Sequence, residues 1–182
     1  MADVNFKPSR EKPVRSETSN QAGEMRWDVI ELLFFAYRDF VGDADDVLKE
    51  FGFGRAHHRV VHFVYRYPGL KVADLLDVLR ITKQSLGRVL KQLLDEGYIV
   101  QQAGASDRRQ RLLFATAKGE ALVQKLAGLQ TIRINRALQN MPGDAGATAD
   151  TVRQFLRAMI DREDPDQVLS VLLGMSRRSV NE

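Results

Sequence analysis

The clearest hydrophobic period in the chain lies between residues 83 and 96. Leu86, Val89, Leu90, Leu93 and Leu94 fall at i, i+3, i+4, i+7 and i+8, while Lys83, Gln84, Gly87, Arg88 and Lys91 occupy the opposite face. Thr82 is a good N-cap for this helix, and Gly97 ends it at the C′ position. Two helices precede it. One runs over Arg55–Tyr67, with Val60, Val61, Phe63 and Val64 as its core face, and stops at Pro68-Gly69. A shorter one covers Lys71–Leu79, with Val72, Leu75, Leu76 and Leu79 at helical spacing, and Arg80-Ile81 makes a tight turn after it. Beyond Gly97, Tyr98–Gln102 and Gln110–Ala115 read as two short strands, joined by the stretch GASDRRQR at 104–111.

The flanks read as long apolar helices. From Trp27 to Val41 polar side chains form only a narrow stripe, Asp28, Glu31, Arg38 and Asp39. A helix with so little polar surface is usually covered on more than one side, and in a chain this small a second subunit is the natural cover. Gly42 reads as its end, and Asp43 as the cap of a short helix over Ala44–Phe51. After the strands, Thr116 caps a long helix, Lys118–Met141, broken by Pro142-Gly143. Helices over Ala149–Asp161 and Asp166–Gly174 follow. Residues 1–24 are polar and charged and read as a flexible arm. Residues 25–176 then read as one domain, and 175–182 as a polar tail.

Composition narrows the classes. The chain has 182 residues, 44% apolar and 28% charged, with a net charge of +3 and no cysteine. Thiolate metal sites, disulfides and thiol switches are excluded. No apolar run approaches the length of a membrane span, and the first residues lack a signal-peptide core, so a cytoplasmic protein is expected. Residues 82–111 hold six basic and three acidic side chains, a net +3 equal to that of the whole chain, so the excess is local.

Helix, short helix, tight turn, helix with a basic outer face, then a hairpin with a basic tip is the order of a winged helix-turn-helix. A helix of this kind fits the major groove of B-form DNA and presents donors to base edges, and a thin hairpin reaches the minor groove, where negative potential attracts arginine. The expected fold is mainly α with a small β-wing: a winged lobe at about 52–116, and helical dimerisation regions at about 26–42 and 117–174.

Two stretches, YPGLKVADLLDVLRITKQSLGRVLKQLLDEGYI (67–99) and SDRRQRLLFATAKGEAL (106–122), resemble the MarR family of bacterial transcription regulators. The resemblance implies a homodimer whose first and last helices interlock, bound to a pseudo-palindromic double-stranded DNA site. It also implies that Thr82, Lys83, Gln84, Ser85, Arg88 and Lys91 belong to the recognition helix. Asp107 and Arg109 match an Asp-x-Arg wing motif, in which Arg enters the minor groove and Asp orients it. The tip is shorter than in many relatives, so Arg108 competes with Arg109 for that role. Arg111 is expected at the strand's base, near a phosphate or pairing with an acid. His57, His58 and Arg59 open a helix whose N-terminal end faces DNA in this family, which suggests phosphate contacts. Relatives often bind small ligands, and Trp27, Phe34 and Tyr37 are candidates to line such a pocket, with dimer packing as the competing reading.

Other functions have weaker support. His58 and His62 have the i, i+4 spacing of metal ligands but no evident third ligand, so neither metal nor cofactor is expected and a metal sensor is only an alternative. A winged-helix protein adaptor would show an acidic or apolar outer face on residues 83–96, which is absent. The sequence carries no paired carboxylates, nucleophile or phosphate loop that would mark an enzyme.

Overall fold

A computed structural model describes residues 25–104 and 109–160. Arm 1–24, the expected helix Asp166–Gly174 and tail 175–182 lie outside the described residues. In chain order the described elements are α1 (Trp27–Lys49), α2 (Arg55–Arg66), β1 (Leu70–Lys71), α3 (Val72–Leu79), α4 (Lys83–Asp95), β2 (Ile99–Ala103), β3 (Arg111–Ala115), α5 (Ala117–Gln139) and α6 (Ala145–Ala158). The molecule is mostly helical with one small antiparallel sheet of order β1-β3-β2. Among the described residues no helix is long and apolar enough to cross a membrane.

The core gathers α2, α3, α4 and the sheet around Val60, Val61, Val64, Leu75, Leu86, Leu93, Ile99 and Leu113, all essentially inaccessible to water. Leu48 from the end of α1 and Leu126 from the first half of α5 complete it. Phe63, expected on the core face of α2, is only partly buried. The other halves of α1 and α5, together with α6, carry apolar side chains that the single chain leaves uncovered. Leu32 is 65% exposed, Phe34 69% and Trp27 61%.

The pattern predicts a break at Gly42, yet α1 runs through it to Lys49. Gly42 adopts helical backbone, and Asp43 does not cap; its carboxylate instead accepts from Arg133 on α5 at 2.8 and 3.1 Å. The apolar period also continues, because Val41, Ala44 and Leu48 are buried on one stripe. A second correction concerns α6. It starts at Ala145, capped by Asp144, whose Oδ1 accepts from Ala147 N–H at 2.9 Å. The small residues of its first turn hide it from an apolar-period reading.

The hairpin register pairs Ile99 with Ala115 and Ala103 with Arg111. A third strand, β1, has no counterpart in the sequence reading. It pairs Leu70 with Leu113 and Lys71 with Leu112, tying the start of α3 to the wing. Gly97 is left-handed at φ +74°, as a C′ glycine should be. Thr116 caps α5 by accepting from Gly119 N–H at 3.1 Å, and its hydroxyl donates to the Gly97 carbonyl at 2.7 Å. The wing is thereby anchored to the ends of both α4 and α5.

Candidate nucleic-acid interface

The α4 cap forms as its sequence dictates. Thr82 Oγ1 accepts from Ser85 N–H at 3.1 Å and donates to Ser85 Oγ at 2.9 Å. The turn before it is closed by Arg80, which sits in the left-handed region at φ +49°, ψ 45°. A non-glycine residue there costs on the order of 1 kcal/mol, and the turn retains it because Arg80 N–H donates to Leu76 O at 2.9 Å, closing α3.

One face of α4 is core: Leu86, Val89, Leu90 and Leu93. The other is open, and Thr82, Lys83, Gln84, Ser85, Gly87, Arg88 and Lys91 are all exposed. Among the described residues neither Lys83 nor Arg88 has an ion-pair partner, whereas Lys91 pairs with Asp95 one turn on. The strongest uncompensated charge therefore lies in the first two turns of the helix, beside Gln84 and Ser85.

The wing projects from the same lobe. Its ladder closes where Gly104 N–H donates to Gln110 O at 3.1 Å. Arg109 is exposed in the turn entering β3, while Asp107 and Arg108 lie outside the described residues. Arg111 is not at the base of the hairpin. It begins β3 opposite Ala103, in the last rung before the tip, and is exposed there. The two arginines thus cluster at the far end of the wing.

The histidines divide. His57 turns inward: its ring stacks on Phe53 at 4.7 Å and 8°. Its Nδ1 accepts from Gly54 N–H at 3.1 Å, and Nε2 meets Gln92 Oε1 at 2.9 Å. Accepting at Nδ1 puts the ring hydrogen on Nε2, which donates to Gln92. Gln92 in turn donates to Glu96 at 2.9 Å. With both ring nitrogens engaged, His57 braces α2 against α4 and has none left for a phosphate; the sequence holds no local signal for this contact across 35 positions. Arg59 is exposed on α2. His58 and His62 lie edge to face at 6.4 Å, partly buried. Burial above all holds both below the usual 6.5; His62 and Arg59 add to this for His58, against Asp45, and Arg66 adds to it for His62. Among the described residues no group of three or more His, Asp or Glu is placed to hold a metal ion.

The proposed ligand-lining trio does not converge. A groove of about 620 Å³ runs between α1, α5 and α6, lined by Leu33, Tyr37, Phe40, Arg133, Ile134 and Leu156 among others. Of the trio only Tyr37 lines it; Trp27 and Phe34, seven residues apart, stand on the open face of α1. Arg55 lies over the Tyr37 ring at 5.6 Å and is held by Asp45 at 2.8 Å.

Comparison with known proteins agrees with this geometry. A family model described as MarR family matches residues 51–110. The HTH-type transcriptional regulator PetP of Rhodobacter capsulatus is 45% identical over 132 residues, which cover 72% of this chain and 78% of PetP. The fold is shared with Streptococcus pneumoniae FabT, crystallised in complex with DNA, at a TM-score of 0.62, 16% identity and coverage of 73% of this chain and 98% of FabT. It is also shared with an S. aureus MepR mutant bound to an oligodeoxyribonucleotide, at a TM-score of 0.52, 16% identity and coverage of 72% and 98%.

Proposed function

The chain belongs to the MarR family of transcriptional regulators, and from this premise we propose that it acts in the cytoplasm as a homodimer reading double-stranded DNA through α4 and the wing. The observation that carries this reading is the outer face of α4. Lys83 and Arg88 flank Gln84 there, exposed and without ion-pair partners among the described residues, on a helix whose other face is fixed in the core. Lys83 and Arg88 supply phosphate attraction, and Gln84 and Arg88 have the donor geometry for purine edges in the major groove. Arg109, with Asp107 orienting it, serves the minor groove. Arg111, near the same tip, and Arg59 on α2 are assigned to phosphates.

We assign the groove between α1, α5 and α6 to a second copy rather than to a small effector. It is continuous with the uncovered apolar faces of those helices, and apolar area of this kind associates by leaving water. Two lobes would then meet successive major grooves about one helical turn apart. Replacing Leu156, an exposed residue of the groove lining, with aspartate is expected to yield monomers in sedimentation; an unaltered dimer would remove the groove from the interface.

The DNA reading is tested on a duplex enriched by the protein from a random-sequence library. With five cations per lobe, Arg59, Lys83, Arg88, Arg109 and Arg111, and two lobes, log affinity should fall with log salt at a slope of about −9. Arg109→Ala should weaken enriched and scrambled duplexes alike and flatten that slope by about 2, one per lobe. Gln84→Ala and Arg88→Ala should instead relax preference at particular base pairs. Salt-independent binding, or affinity unchanged in all three variants, would point to a protein-interaction module.

A further inference from the structure

Gly87 occupies the middle of α4 and has no reason inside the chain to be glycine. Its backbone is ordinary right-handed helix, since it is absent from the positive-φ glycines among the described residues. A Cβ built on it meets nothing within 4 Å. In a helix interior glycine is the worst residue after proline, because it gives up the most backbone freedom. The chain therefore carries a local destabilisation at a position where alanine fits without touching anything. Gly97 is left-handed, Gly119 abuts the Tyr98 carbonyl and Gly54 is the N-cap of α2; Gly42 and Gly128 share the open surroundings of Gly87 but lie in α1 and α5, so Gly87 is set apart by its place on the basic face of α4.

The position decides what the missing side chain is for. Gly87 follows Lys83 by four residues and Gln84 by three, and precedes Lys91 by four, so all lie on one exposed face. Among these long side chains Gly87 leaves a notch at the helix surface. A helix with its side chains is about 10–12 Å across and the major groove about 12 Å wide, so a single side chain on the inward face sets the depth of entry.

We infer that Gly87 is a specificity-determining residue of the DNA interface: its bare backbone lets α4 seat deeply enough for Gln84 and Arg88 to reach base edges. A Cβ at 87 would hold the helix outward by roughly a methyl group. Phosphate attraction, which is long-ranged, would survive this, whereas hydrogen bonds to bases, which need about 3 Å, would not. The inference rests on the DNA-reading role proposed above and concerns depth of entry.

The experiment uses the full chain and a duplex enriched by the wild type from a random-sequence library, with a scrambled duplex of the same composition as reference. Gly87→Ala should melt about 2–4 °C higher than wild type, which also shows that it folds. Its affinity for the enriched duplex should fall about tenfold or more, while affinity for the scrambled duplex and the salt slope stay within twofold. Gly87→Ser should lose at least as much. Equal affinity of Gly87→Ala and wild type for the enriched duplex overturns the inference and leaves the DNA reading intact, as does an equal loss on both duplexes. Failure of the wild type to enrich any duplex overturns both together.

Discussion

Replacing Gly119 with alanine tests how α5 is seated on the wing. The added Cβ would lie 2.1 Å from the Tyr98 carbonyl oxygen, 3.1 Å from its carbon and 3.6 Å from Ala115 Cβ. Ordinary contact begins near 3.4 Å, so helix or wing must give way by about 1.3 Å. Neither side is free to do so. The Tyr98 carbonyl accepts from Thr116 N–H at 3.1 Å, and the Tyr98 ring packs edge to face on Phe53 at 5.0 Å. On the other side, Gly119 N–H donates to the capping Thr116 hydroxyl. Overpacking a rigid contact costs about 1–3 kcal/mol, and backbone against backbone belongs at the upper end. A disturbed cap adds about 1 kcal/mol. The sum, near 4 kcal/mol, corresponds to a Tm lower by about 8–16 °C in a chain of this size. Thermal melts by circular dichroism at one protein concentration would read it, because melting of an oligomer depends on concentration. Gly87→Ala is the internal control, with the opposite sign expected. A Gly119→Ala protein that melts within about 3 °C of wild type would refute the reasoning, by showing that the turn at Tyr98 yields cheaply.

Three further outcomes follow from contacts of the same lobe. His57→Ala removes the stack on Phe53 and the bridge to Gln92, and should cost about 2 kcal/mol in a denaturant titration; a loss below about 0.5 kcal/mol would show the brace to be idle. Thr82→Ala leaves Ser85 N–H without its cap and should cost about 1 kcal/mol, with Thr82→Ser recovering most of it in the same titration. His58 and His62 are held below 6.5 in the folded chain, so the unfolded chain takes up protons first as the medium acidifies. Their stabilising contribution is therefore complete above pH 6.5 and is lost as pH falls through the folded values. Tm measured from pH 7.5 downward should decline on that limb, and the double substitution His58→Gln with His62→Gln should flatten the decline; an identical decline would assign the pH dependence to other groups.

What the sequence made legible was local. α4 announces itself because its period, its Thr82 cap and its Gly97 stop all lie within sixteen positions and agree. The basic outer face was legible for the same reason, since the apolar stripe defines which side remains. The continuation of α1 was hidden because Gly42-Asp43 looks like a stop followed by a cap. Only Arg133, ninety residues later, reveals that Asp43 is engaged elsewhere. Two-residue β1 carries no period at all and exists only because β3 offers it an edge. His57 stood beside two other histidines and an arginine, so its neighbours suggested an outward role; the partner that turns it inward, Gln92, is remote. The aromatic residues of α1 stood out in the sequence, but which of them line a groove depends on α5 and α6: Tyr37 faces Arg133, Ile134 and Leu156, while Trp27 and Phe34 stay open.

The unbroken α1 has a mechanical meaning. Its last turns are clamped in the core of the winged lobe by Ala44 and Leu48, while its first turns carry Trp27 and Leu32 out of it. These ends are roughly 30 Å apart at 1.5 Å per residue. A rod of that length is a lever: a tilt of about 5° at the clamp displaces the far end by about 3 Å, without breaking a single helical hydrogen bond. Its softest point is Gly42, at the boundary between grip and handle. Force applied to the exposed end therefore arrives at the winged lobe as rotation, passed on through α2 and α5, against which α1 packs.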